Sequence, residues 1–161
     1  MRIYLPSTIP LLRDWLNAGS AEPVGAAYGV TPSLREWYRE GDIEELEHAA
    51  ALLAAVASLE LLAGAPDAPP RRVVLAADVE DSLVVPDHDE RGALRLREGV
   101  PAPRWASALV DEVEPVAAVV AAVGLLRAAT ASADDLDFAL GEAEAADLSW
   151  YAAQELPHLF E

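Results

Sequence analysis

Short apolar runs alternate with helical patterns along the chain, and this alternation predicts an α/β fold. Continuous apolar or β-branched runs predict strands, whereas apolar residues that recur every three or four positions predict helices. The predicted strands are Arg2–Leu5, Ala26–Val30, Arg71–Val79, Leu83–Val85, Ala93–Arg97, Trp105–Val110 and Leu148–Tyr151. The predicted helices run from Ser7 or Thr8 to Ala18, from Thr31 to Gly41, from Asp42 to Ala63, from Pro115 to Ala129, and onward from Ser132. We therefore expect one α/β domain over residues 1–161, with a mostly parallel, mixed sheet flanked by helices.

Polar residues mark where several of these helices begin. Thr31 supplies a capping hydroxyl and is followed by Pro32, which favours the first turn of a helix. Asp42 precedes Glu45 by three residues, and Ser132 precedes an acid-rich helix. Side chains of these types accept hydrogen bonds from the free N–H groups of a first helical turn, so we expect helices to start at these positions.

Two predicted helices, Asp42–Ala63 and Pro115–Ala129, carry apolar runs with no charged side. Most elements of a domain of 161 residues must touch solvent, and we expect room to bury one such helix on all sides. The chain is therefore expected to self-associate, as a two-fold dimer in which alanine-rich faces carrying Ala51 and Ala55 meet. The alternative is that alanine faces are small enough to tolerate exposure.

The charge balance restricts the partners that this protein can have. Asp and Glu number 28 against 11 basic residues, which gives a formal net charge of −17. Such a surface repels phosphate backbones and anionic lipids, so we expect no nucleic-acid or membrane binding and instead a basic partner. The longest uninterrupted apolar runs, Ala49–Ala57 and Val116–Leu126, fall short of the ~20 residues of a membrane span. We expect a cytoplasmic protein.

The residue types present also exclude several kinds of chemistry. All basic residues except the three histidines are arginine, and there is no cysteine. Lysine Schiff bases, phosphate-loop lysines, thiolate nucleophiles and cysteine metal ligands are therefore absent from this chain. We expect no cofactor.

Aromatic and arginine side chains provide the candidate binding residues. In each of the adjacent pairs Trp37-Tyr38 and Trp150-Tyr151, at least one ring must face away from the core. Tyr, Trp and Arg are enriched at binding hot spots, although rings that cover the edge of a core have the same composition. The candidate binding residues are Tyr4, Arg35, Trp37, Tyr38, Trp150 and Tyr151.

Two carboxylates, Asp78 and Asp111, lie at or just past the ends of predicted strands. In an open parallel sheet such residues meet at one edge, where two carboxylates can hold Mg²⁺ beside a phosphate. The alternative function is therefore a small metal-dependent hydrolase or phosphotransfer enzyme. No glycine-rich phosphate loop follows a strand, and we do not expect a resident metal. The favoured interpretation is a non-enzymatic interaction or regulatory protein.

Four segments together resemble a known family. They are Arg2–Thr8 (RIYLPST), Val30–Tyr38 (VTPSLREWY), Val74–Val79 (VLAADV) and Trp150–Pro157 (WYAAQELP). In this order they look like an uncharacterised family of actinobacterial proteins of similar length. The resemblance implies a bacterial, cytosolic setting and a high-GC genome, which accounts for the many alanines and arginines. It implies no activity, cofactor or catalytic residue.

The excess of negative charge predicts that stability depends on salt. Like charges repel each other in the compact state, and dissolved ions screen this repulsion. We expect the melting temperature at neutral pH to rise between low and moderate ionic strength, as measured by thermal unfolding followed by circular dichroism. A flat or falling response would contradict the prediction and would mean that the acids are paired locally.

Overall fold

A seven-stranded sheet forms the centre of the protein in the computed structural model, which describes residues 1–160. Its strands, in spatial order, are β5-β6-β3-β1-β4-β8-β9, and a separate pair joins β2 to β7. The strands are β1 (Arg2–Ser7), β2 (Ser20–Ala21), β3 (Ala27–Gly29), β4 (Val73–Asp78), β5 (Val84–Pro86), β6 (Ala93–Leu96), β7 (Val100–Pro101), β8 (Trp105–Val110) and β9 (Ser149–Ala152). The helices are α1 (Ile9–Ala18), α2 (Pro32–Trp37), α3 (Ile43–Ala63), α4 (Ala117–Ala128) and α5 (Ala133–Ala145), followed by a 3-10 segment over Ala153–Phe160.

Every neighbouring pair in this sheet is antiparallel, so the expectation of a mostly parallel sheet is wrong. The helix α3 does connect two strands of the same direction, β3 and β4, as a βαβ unit would. However, β1 lies between them and runs the opposite way. At the other side of the sheet, α4 and α5 join β8 to β9. They return the chain to the end of the sheet at which β8 finishes, so β9 pairs antiparallel with β8.

The segment between α1 and β3 is a second reason for the difference. Sequence patterns assigned residues 19–25 to a loop, whereas Ser20–Ala21 forms a short strand that pairs with β7. This stretch carries the chain back along the sheet before β3 begins, which makes β3 antiparallel to β1. A direct turn from α1 into β3 would have produced the parallel arrangement.

Four of the five predicted helix starts are confirmed by their hydrogen bonds, whereas α4 begins at Ala117 rather than Pro115 and has no side-chain cap. In each of the four, a side-chain oxygen accepts from the backbone N–H three residues later, as an N-cap does. The bonds are Leu11 N to Thr8 Oγ1 (3.3 Å), Leu34 N to Thr31 Oγ1 (3.2 Å), Glu45 N to Asp42 Oδ1 (2.9 Å) and Asp135 N to Ser132 Oγ (3.1 Å). Local chemistry therefore fixes where these helices begin.

The two faces of the sheet pack against different helices, because alternate residues of a strand point to opposite sides. Ile3 and Leu5 of β1 face α1, where Leu12 and Trp15 complete one core. Tyr4 of β1 faces α3 in a second core. A third core lies where α4 and α5 pack on the C-terminal half of α3; it contains Leu59, Leu62, Val119, Ala122, Val123, Ala139 and Ala143.

The apolar helix α3 is therefore used inside the chain. Ala51 and Ala55 are only 6% and 4% exposed and pack towards the sheet, so the expected dimer contact through these two alanines is wrong. Ser58, further along α3, donates to the carbonyl of Ser7 (2.7 Å) and accepts from the N–H of Val73 (3.1 Å). One hydroxyl thus ties the helix to the ends of both central strands.

The same helix is long and apolar enough to cross a membrane by length and composition alone, within the described residues. The count of uninterrupted apolar runs missed this because the run Ala49–Ala57 is bounded by His48 and Ser58. In the protein, 44% of its most apolar window is buried, and core helices of soluble proteins pass the same test.

Two glycines should respond in opposite ways to replacement by alanine. Gly124 lies inside α4 with nothing near its added methyl group, so Gly124→Ala is expected to raise the free energy of unfolding by about 0.5–1 kcal/mol. Gly92 has a φ of +79°, and a methyl group there would lie 2.8 Å from Leu53 Cδ1. Gly92→Ala should therefore lower stability by about 1–2 kcal/mol. Urea unfolding of both variants measures this, and equal effects would contradict it.

Candidate functional site

A buried ion pair joins the start of β4 to the end of β8. Arg72 and Asp111 are each about 1% exposed. The Arg72 side chain donates through Nε and Nη2 to the two Asp111 carboxylate oxygens, at 2.8 Å each, and the Arg72 backbone N–H donates to Oδ2 at 2.8 Å. Such a two-pronged geometry is the strong form of an arginine–carboxylate contact.

The same guanidinium also holds the end of α5. Arg72 Nη1 donates to the carbonyl of Ala143 (2.7 Å), and Nη2 donates to that of Ala146 (3.0 Å). Carbonyls at a helix C-terminus lack partners within the helix and carry partial negative charge. Arg72 therefore satisfies Asp111 and the end of α5 together, and it fixes where the chain leaves that helix.

The second strand-end carboxylate, Asp78, lies at the opposite end of the sheet. Because β4 and β8 are antiparallel, Asp111 lies beside residue 72, and Asp78 lies six residues further along β4. At about 3.3 Å per residue this separates them by roughly 20 Å. A single metal site made from both carboxylates, as the enzyme hypothesis required, is therefore wrong.

Asp78 is instead paired with Arg2 of the neighbouring strand. Arg2 Nε and Nη2 lie 2.6 and 3.0 Å from its carboxylate oxygens, and the hydrogen bond from this guanidinium lowers the pKa of Asp78. A lowered folded-state pKa stabilises the fold above the ordinary range of aspartate, and that contribution is lost as the pH falls through the folded-state value. Because the pair is exposed, the stabilisation is small.

An open groove runs over β8 and β9 on the face of the sheet that carries α3, and we call it the sheet groove. It has two adjoining parts, of about 470 and 300 Å³, that share His48, Ala51 and Leu109. Its other lining residues come from the sheet and the residue before β4, from the first half of α3, and from the end of α5 and the segment after it: Arg2, Tyr4, Arg72, Ala76, Ser107 and Trp150; Glu44, Glu47 and Leu52; and Gly141, Glu144, Ala145, Ala146, Asp147 and Leu148.

The sheet groove exists because α3 does not cover the whole sheet. This helix packs on β1, β3 and β4. Helices are about 10 Å across and strands lie about 4.8 Å apart, so one helix covers roughly two or three strands. On the strands beyond it, Leu109 and Trp150 are register partners on the same face. Trp150 is 63% exposed there, so the groove has an apolar, aromatic floor.

The walls of the sheet groove are acidic. Glu44, Glu47, Glu144 and Asp147 line it, whereas its two arginines are held by Asp78 and Asp111. Burial, with a smaller contribution from the Glu47 charge, raises the pKa of Tyr4 above the ordinary value. Tyr4 therefore stays a neutral phenol, and the charges nearest to it are those of Glu47, Arg2 and Asp78.

The predicted aromatic set divides among three places. Tyr4 and Trp150 lie in the sheet groove. Tyr151 faces the other side of the sheet and packs against the core under α1. Thus one ring of the pair Trp150-Tyr151 faces away from that core, as predicted.

The other members of the set lie on and beside α2. Trp37 and Tyr38 are 62% and 46% exposed, and Arg35 is exposed on the same short helix. The guanidinium of Arg91 stacks on the Trp37 ring at 3.5 Å from its centre. This second aromatic patch does not line the sheet groove, so the six candidate residues do not form one site.

Sequence reasoning missed His48 and Glu47, which the turn of α3 brings to the groove. It also missed the role of Arg72. A signal for Arg72 existed, because two arginines precede one buried strand and an aspartate follows another. In antiparallel register such charges lie side by side. The assumption of parallel strands concealed this pairing.

No group of three histidine, aspartate or glutamate side chains in residues 1–160 is close enough together to hold a metal ion. The arrangement that the groove does offer is an aromatic surface beside unpaired carboxylates. Such a surface attracts cations through the ring face and through the charge.

These features define a small acidic α/β protein with an antiparallel sheet and an open groove on one face. The chain belongs to a family of unknown function (DUF6912), whose model matches residues 1–160. No curated protein and no solved structure matches the chain. Membership agrees with the resemblance to an uncharacterised family, whereas the actinobacterial origin and the four motifs stay predictions. The family indicates no function.

The buried and exposed ion pairs should differ strongly in their effect on stability. Asp111→Asn leaves the Arg72 charge buried without its counter-ion, so we expect a loss of about 3–5 kcal/mol in the free energy of unfolding. Asp78→Asn is the matched control at the exposed pair and should cost at most about 1 kcal/mol. Chemical denaturation measures both. Similar losses in the two variants would show that Arg72 does not depend on Asp111.

Proposed function

We propose that this protein is a non-enzymatic interaction protein that binds a basic segment of a partner protein in the sheet groove. The observation that carries the proposal is Trp150, an indole 63% exposed on the uncovered part of a sheet. Large apolar side chains in a groove with a polar rim are typical of interaction sites. A partner segment that covered Trp150 and Leu109 would complete the layer that α3 begins.

The charge of the groove favours a basic occupant. Four carboxylates line the groove, and both of its arginines are already paired. An arginine or lysine of the partner could lie over the Trp150 ring and near Glu47 or Glu144, which combines a cation–π contact with ion pairing. The net charge of −17 would also speed the encounter with a basic partner.

The enzyme alternative has less support. The two carboxylates that it required lie at opposite ends of the sheet, and each is engaged by an arginine. Their oxygens are therefore occupied by guanidinium groups. A binding role uses the groove as it is.

Self-association and a cytoplasmic location stay predictions. Ala51 and Ala55, expected at a dimer contact, are buried on the side of α3 that faces the sheet. An interface between copies would therefore need another surface. The strand β9 is at an edge of the sheet and carries no charged side chain. Edge strands without charges or prolines are open to pairing with a further strand, and this observation favours β9 as the place for such a contact.

The first test of the proposed function uses two tryptophans of equal exposure. The probe is a fluorescein-labelled peptide of alternating arginine and serine, and binding is followed by fluorescence polarisation. Trp150→Ala should weaken binding roughly fivefold, because it removes a cation–π contact of about 1 kcal/mol. Trp37→Ala is the control, since Trp37 is 62% exposed outside the groove. Equal effects of the two substitutions would overturn the proposal.

A second pair of variants separates the groove from overall charge. Glu47→Gln with Glu144→Gln removes two carboxylates from the groove, and Glu36→Gln with Glu40→Gln removes two exposed ones near α2. The net charge changes equally in both. We expect the groove variant alone to bind markedly more weakly, and the same loss in both would indicate general attraction to an acidic protein.

A further inference from the structure

The helix pair α4–α5 has a second groove, on the solvent side of the hairpin, which we call the hairpin groove. It encloses about 590 Å³. Its floor is made of alanines, among them Ala117, Ala118 and Ala121, and its walls are Leu125 and Phe138. Phe138 is 71% exposed. This groove shares no lining residue with the sheet groove.

Packing inside the chain uses only the edge of this surface, where Ala139 and Leu125 contact the third core. The hairpin buries Val119, Ala122 and Val123 of α4 against Leu59 and Leu62 of α3. The groove residues of α4 lie on a different side of the same helix, and Ala121 is exposed there. Thus α4 is apolar on two sides, and on the second side Ala117 and Ala121 are exposed.

The shape of the hairpin groove suits a helix. Alanines on the floor allow the backbone of a third helix to approach closely, at the 8–10 Å spacing of packed helices. The α4 side of the groove extends from Ala117 to Leu125, which is about 12 Å or two helical turns. Leu125 and Phe138 would enclose the large apolar side chains that such a helix carries at every third or fourth position.

The charge of the hairpin groove favours a basic partner over a second copy. Asp135 and Glu142 line it. The only basic residue of the two helices is Arg127, whose guanidinium donates to the carbonyls of Leu62 (3.1 Å) and Ala63 (3.2 Å) and is therefore committed to α3. Two copies joined here would bring acidic rims together, which opposes association.

From these observations we propose that the hairpin groove docks an amphipathic helix of a partner protein, with leucine-like residues on one face and arginine or lysine beside them. The docked helix would complete a three-helix layer with α4 and α5. This site goes beyond the proposed function, because it lies on another surface and takes a helix rather than a basic segment over a tryptophan.

The test uses two synthetic peptides of roughly four helical turns. Both contain the same leucines and arginines; in one the leucines lie on a single helical face, and in the other their order is scrambled. Both carry the same charge. Titration calorimetry with the full chain should show the amphipathic peptide binding at least about tenfold more tightly than the scrambled one. Equal affinities would overturn the proposal, since charge alone would then explain binding.

Substitutions in the groove provide a control for which docking and charge attraction predict opposite changes in peptide affinity. Ala121→Glu adds a negative charge but obstructs the floor, so docking predicts weaker binding of the amphipathic peptide, whereas simple charge attraction predicts tighter binding. Ala128→Glu adds the same charge on α4 outside the groove and should not weaken binding. Phe138→Ala should weaken it by about tenfold or more, as a hot-spot residue does. Unchanged circular dichroism would show that the exposed substitutions leave the fold intact.

Two further measurements separate this site from the other hypotheses. Trp150→Ala should leave the preference for the amphipathic over the scrambled peptide unchanged, because Trp150 belongs to the sheet groove; loss of that preference would overturn the assignment to the hairpin. Sedimentation equilibrium of the protein alone tests for a second copy as the occupant. If the protein is a dimer and Phe138→Ala dissociates it, the occupant of this groove is a second copy and the proposal of a basic partner helix is overturned.

Discussion

The ion pair between Arg72 and Asp111 is the contact on which the rest of the arrangement depends. It joins β4 to β8, and the same guanidinium holds the carbonyls at the end of α5. The chain then enters the wall of the sheet groove at residues 145–148. Burying two charges costs several kcal/mol each unless hydrogen bonds replace the lost water. Here the carboxylate, the guanidinium and two helix-end carbonyls satisfy one another, so polar bonding positions the groove wall together with the apolar packing of Ala143 and Leu148.

The grooves also explain why an acidic surface and an apolar surface coexist in this molecule. Carboxylates around an uncovered aromatic ring repel one another, and they oppose the covering of that ring by another acidic chain. The free protein thus keeps apolar side chains accessible while its charge disfavours association with copies of itself. A cationic partner reverses both effects, since it covers the ring and neutralises the rim. In the proposed complexes, selectivity for a cationic partner would arise from the same carboxylates that repel copies of this chain.

The sequence specified local structure better than it specified strand direction. Thr31, Asp42 and Ser132 begin helices where their side-chain chemistry placed them, because capping depends on residues three positions apart. The direction of β4 depends on the insertion of β1, which lies some 70 residues earlier and leaves no local trace. The candidate site shows the same contrast between local features and features that depend on the fold. Exposed Trp150 could be anticipated from its neighbour Tyr151, whereas the convergence of His48, Leu109 and the end of α5 required the fold.

The position of β1 in the sheet also has a consequence for synthesis on the ribosome. It precedes β3 and β4 in the chain, yet it lies between them in the sheet. Its residue Arg2 pairs with a residue 76 positions later. Pairing of such distant segments is slow because a long loop must close first. Until β4 has emerged, β1 therefore lacks its partner on one edge, and an unpaired apolar strand edge favours aggregation.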